Sequence, residues 1–67
     1  MPKSIDQELA ELMRMALTLR EQSARWTLRS LSAHKAGYPN LAQRNLRHAE
    51  ALAEAASQIE HLIQTPN

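Results

Sequence analysis

The sequence predicts an all-α fold: an antiparallel two-helix hairpin that dimerises into a four-helix bundle. Three observations predict it. Between Ser4 and Pro66 the breakers cluster once, at Gly37 and Pro39, dividing the 67 residues into two long stretches. In both stretches the apolar residues recur at helical spacing. The apolar arc is also wider than one neighbour can cover: in the first stretch it spans roughly 220°, against the ~100° stripe of an ordinary surface helix. One helical-hairpin domain over residues 1–67 follows, with helix 1 over about 4–36, a turn at 37–40 and helix 2 over about 41–64.

Helix 1 has its start signal at Ser4, where Gln7 completes a capping box and Asp6 and Glu8 sit at the positive end of the helix dipole. Ile5, Leu12, Leu19, Trp26 and Ala33 recur every seven residues, and Leu9, Ala16, Ser23 and Ser30 interleave with them. This is the 4-3 spacing of a coiled-coil seam. A second stripe, Ala10, Met13, Leu17, Ala24, Leu28 and Leu31, runs beside the first. His34 and Lys35 fall in the last turn, where positive charge is favoured.

Gly37 is placed as the left-handed residue that ends the helix, and Pro39 bars continuation. Asn40 is expected to cap helix 2, with Gln43 as a weaker capping partner. The 4-3 rhythm then passes through Leu41, Asn45, His48, Leu52, Ala55, Ile59 and Leu62. Ala42, Leu46, Ala49, Ala53, Ala56 and Ile63 form a neighbouring stripe, interrupted by Glu60, whose alanines permit close approach of another helix. Pairing outward from the turn sets Glu11 near Gln64, so Ile5 and Leu9 are expected to project past helix 2 and to need cover from a second chain.

Net charge is only +1, but it is divided. Residues 20–47 hold six cations (Arg20, Arg25, Arg29, Lys35, Arg44, Arg47) against Glu21, a surplus of five. The remainder holds Lys3 and Arg14 against six carboxylates, a deficit of four. Folding as a hairpin makes the turn end basic and the open end acidic. Two hairpins with their turns at opposite ends would bring each basic half beside an acidic one.

Composition narrows the function classes. A chain this short buries only about 60% of its unfolded surface, and such domains lean on staples or on oligomerisation. With no cysteine and no Phe, the core must come from Leu, Ile, Met and eleven Ala, which suits helix packing over a roomy ligand pocket. No apolar run approaches the ~18 residues of a membrane span, and Met1–Ser4 opens no apolar signal region, so the expectation is a cytoplasmic protein without membrane contact. His34, His48 and His61 lack the spacing of metal ligands, no glycine-rich phosphate loop exists, and no hydroxyl has a base and an orienting acid. No cofactor, no metal and no catalysis are expected.

The polar residues in the seam carry the remaining signals. Ser30 is expected near Asn45, and His48 near Trp26, as a polar layer that fixes register and oligomer number. Arg20 lies inside the apolar arc and is expected to pair with a glutamate of another subunit or at the rim. Arg25, Arg29 and Arg47 offer a contact to nucleic acid or to an acidic partner.

In length, heptad-patterned helices and short turn the chain resembles Rop, the plasmid protein whose paired hairpins bind paired RNA loops. That resemblance implies a dimeric bundle and structured RNA, with no RNA-contacting residue to transfer. Similar short hairpins serve as co-chaperones of type III secretion needle proteins. The function expected from the residues is a non-catalytic protein-interaction module, a small bacterial or phage regulator, inhibitor or co-chaperone. It would dock its apolar faces on itself or on a larger protein through Ile5, Leu9, Leu12, Met13, Leu17, Arg20, Trp26, Leu28 and Leu31. The alternative is a Rop-like dimer on structured RNA.

Overall fold

The computed structural model describes residues 4–64 as two helices packed against each other, α1 (Ile5–Lys35) and α2 (Pro39–Gln64). The start of α1 follows from its first residues. Ser4, in extended conformation, accepts from the Gln7 amide at 3.1 Å, and its own amide donates to Gln7 Oε1 at 3.2 Å. Each satisfies an amide the helix would leave without an intrahelical partner.

The turn is a Schellman motif. Gly37 takes φ +87°, its amide donates to the His34 carbonyl at 3.1 Å, and the Tyr38 amide donates to the Ala33 carbonyl at 2.9 Å. The next helix starts earlier than the Asn40 cap anticipates. The Ala42 amide donates to the Tyr38 carbonyl at 2.9 Å, which makes Tyr38 the N-cap residue and Pro39 the first helical one. Proline suits that position because its ring presets φ and the amide it lacks would have had no intrahelical partner. The expected turn at 37–40 therefore contracts to Ala36–Tyr38.

Small residues line the contact between the helices. Ala16, Ser30 and Ala33 of α1 and Ala42, Ala49 and Ala56 of α2 are the buried residues. Ser23 Oγ donates to the Ala49 carbonyl at 2.8 Å, and Ser30 Oγ to the Ala42 carbonyl at 2.6 Å. These two bonds, seven residues apart on each helix, fix the antiparallel register. The same step sets Ala16 across from Ala56 and Leu9 across from Ile63.

That register corrects two expectations. The strip of α2 that meets α1 is the alanine column with Asn45, Leu52 and Ile59, whereas Leu41, His48 and Leu62 are exposed. A three-residue connection holds the helices close, and only small side chains leave room for a serine hydroxyl to reach the opposite backbone. Ser30 accordingly donates to a backbone carbonyl, that of Ala42. Leu9, level with Ile63 and 36% exposed, does not overhang α2; Ile5, at 75%, is the more open of the two.

The result is a slab of 53 × 19 × 14 Å, one helix layer thick, with a radius of gyration of 15.7 Å. A globule of this length would have a radius near ~11 Å.

Candidate interaction faces

Two faces flank the alanine seam, and each is marked by one cross-helix contact. On the first, Arg20 reaches across to α2. Its Nε donates to Glu60 Oε2 at 3.1 Å, and its Nη2 donates to Glu60 Oε1 at 2.6 Å and to Ser57 Oγ at 3.0 Å. This two-pronged fork matches the planar guanidinium to the carboxylate. The hydrogen bond from Arg20, aided by its charge, holds the Glu60 carboxyl below the ordinary glutamate range, and the same bond raises the Arg20 pKa. Arg20 therefore has its glutamate within the chain, where the sequence suggested a glutamate of another subunit or a pairing at the rim. The two charged interruptions of the apolar stripes, one on each helix, answer each other. Ser57 is the partner that sequence reasoning missed; its position three residues before Glu60, one helical turn away, was the available signal.

Around this fork lies apolar surface. Met13 and Leu17 border a groove with Arg20, Glu60 and Ile63, and farther toward the turn Leu31 and Leu46 border another. Exposure is 59% at Met13 and Leu17, 63% at Leu28 and 55% at Leu31. At about 100° per residue, Ala10 and Ala24 fall in line with Leu17 and Leu31, and Leu28 lies at the outer edge of the same flank.

The second face is marked by Trp26 and His48, whose rings lie 4.3 Å apart and tilted by 56°. The Arg29 guanidinium carbon sits 4.6 Å from the Trp26 ring centroid, a cation–π arrangement. Leu12, Leu19, Leu52 and Ile59 are half-buried along this side, while Met15, Leu41 and Leu62 are exposed. Arg29 is thus drawn onto an aromatic ring. Arg25 and Arg47 are both exposed, and by helical angle they project from opposite outer edges of the slab. The three arginines do not converge on one point.

The apolar inventory is the decisive geometry. Among the described residues no large side chain is fully buried, and eleven large apolar or aromatic ones are exposed. Total accessible surface is 5627 Å². A compact monomer of 7.6 kDa would expose roughly 4,300 Å², so the hairpin leaves about 1,300 Å² more in water than its mass requires. No buried side-chain nitrogen or oxygen among the described residues lacks a partner, so the polar atoms of the seam are satisfied within the chain.

No protein-family model, no curated protein and no solved structure matches the chain. Its chemistry must be read from its own residues. Among the described residues no three His, Cys, Asp or Glu side chains gather as metal ligands would, and no helix is long and apolar enough to cross a membrane.

Proposed function

We propose that the protein is a non-catalytic interaction module that works by docking its apolar helical faces on a second copy of itself or on a larger protein. One observation carries this reading: among the described residues only small side chains are buried at the internal contact, the large apolar ones beside it are at most half-buried, and eleven large apolar or aromatic ones are exposed. Contiguous exposed apolar patches beyond a few hundred Å² are rare on soluble monomers and mark interaction surfaces. Alanine and serine at the seam remove little apolar area from water, so the driving force available to hold two helices together is small. Covering Met13, Leu17, Leu28 and Leu31 would supply what the seam lacks.

The test is sedimentation equilibrium together with far-ultraviolet circular dichroism across the micromolar range. The expected result is helical signal that rises with self-association or with addition of a helical partner. A folded monomer at every concentration, without any partner, would overturn the reading.

The basic turn-proximal half supports a second reading, contact with structured RNA through Arg25, Arg29 and Arg47. Phosphate contacts make such binding fall steeply with salt. RNA binding that ignores salt, or that survives Arg25→Ala with Arg29→Ala unchanged, excludes it.

A further inference from the structure

We infer that a second copy of the chain docks on the face carrying Met13, Leu17 and Leu31, with α1 against α1, antiparallel, and the two turns at opposite ends. The inference rests on the interaction-module reading above and names its partner, its face and its register.

Side-chain size supplies the first argument. Ala10, Leu17, Ala24 and Leu31, all exposed, form a column at seven-residue spacing that alternates small and large. Read backwards, the column alternates in the opposite sense. An antiparallel copy therefore sets every leucine against an alanine: Leu17 against Ala24, Leu31 against Ala10, and the reverse pairs by symmetry. A parallel copy in register would set leucine on leucine and alanine on alanine, which gives a clash and a void in turn.

Charge supplies the second. The first turns of α1 carry Asp6, Glu8 and Glu11, and its last turns carry Arg25, Arg29 and Lys35. As whole helices, an antiparallel copy lays the acidic end of each α1 alongside the basic end of the other. The two Arg20 guanidiniums that approach at the symmetry axis each keep Glu60 of their own chain as counter-charge. Copies with their turns together would stack the two basic halves.

The opposite face fails the same examination. There the column at seven-residue spacing is Glu8, Met15, Gln22 and Arg29, and the antiparallel register that pairs Glu8 with Arg29 sets Met15 against Gln22, an apolar group against a polar one. The chain as a whole has area to spare for a dimer: its surplus of about 1,300 Å², spread over all its faces, exceeds the ~800 Å² per partner of a standard interface.

The experiment uses the absence of native cysteine. Leu17→Cys and Ala24→Cys variants are mixed and mildly oxidised, as are Ala10→Cys and Leu31→Cys, the pair at the other end of the same column. The pair Met15→Cys with Gln22→Cys reports the opposite face. The expected product in both of the first two mixtures is a disulfide joining one chain of each kind, identified by mass, with little joining of like to like. A dimer that cross-links only through the Met15 and Gln22 positions overturns this inference and leaves the module reading standing. The same holds for a chain that stays unfolded alone and folds only on a different protein. A folded monomer at all concentrations overturns both.

Discussion

Replacing Ala49 by leucine tests the alanine seam directly. Ala49 is 2% exposed, and the Ser23 hydroxyl donates to its carbonyl at 2.8 Å. A leucine there adds an isopropyl group to a contact built from small residues, so the helices must separate or the side chain must leave its rotamer. Overpacking of this kind costs ~1–3 kcal/mol. Separation also breaks the Ser23 hydrogen bond, a further ~1 kcal/mol. The sum, ~2–4 kcal/mol, is a large share of the ~3–10 kcal/mol available to a chain of this length. At 4–8 °C per kcal/mol for a small domain, the melting temperature should fall by ~8–30 °C. The measurement is thermal and urea unfolding by circular dichroism at one fixed protein concentration, because association contributes to apparent stability. Ala51→Leu, at an exposed position of the same helix, is the control and should stay within about 0.5 kcal/mol. If Ala49→Leu behaves like Ala51→Leu, α2 does not present its alanine column to α1 and the register fixed by the serine bonds is wrong.

Three further outcomes follow from the same contacts. Ser30→Ala removes the 2.6 Å bond to the Ala42 carbonyl, yet that carbonyl keeps its helical partner and alanine is the better helix former. The loss of ~0.5–1.5 kcal/mol is offset by ~0.5 kcal/mol, and urea unfolding should show a net cost no greater than ~1 kcal/mol; a larger loss would mean the hydroxyl holds more than one partner. Glu60 has a lowered pKa in the fold, so the stability it contributes is present above the unfolded carboxylate pKa and disappears as pH falls through the folded value. Glu60→Gln should therefore be less stable than the parent near neutral pH and should converge with it in acid; melting curves that remain equally separated would sink the assignment. Gly37→Ala meets no atom within 4 Å but must hold φ +87°, so its cost is the backbone's alone, ~1–2 kcal/mol by thermal unfolding. An unchanged melting temperature would show that the turn relaxes out of the Schellman geometry.

Local features were legible in the sequence because they are decided within a few residues. Ser4 and Gln7 form their capping box from adjacent turns, and Gly37 takes the positive φ that ends α1. The start of α2 was misread because Asn40 has the better capping side chain, whereas Pro39 has the better backbone for the first helical position, and the backbone won. The choice between the two apolar stripes of α2 was not legible. Both follow helical period, and periodicity cannot say which stripe a neighbour will occupy. Arg20 and Glu60 each stood out as a charge inside an apolar arc, but 40 residues separate them, and only the register could bring them together.

The sequence by itself determined two helices, their capped ends, the sharp turn between them and an apolar arc too wide for one neighbour. Each of these depends on spacing within a helix or on the backbone preference of a single residue. Tertiary structure alone decided that the alanine column forms the seam, that Ser23 and Ser30 bond backbone carbonyls, and that the Arg20 fork closes within the chain. Those outcomes depend on how closely the two axes approach, and that distance is set by the three-residue turn and the bulk of every side chain along the contact.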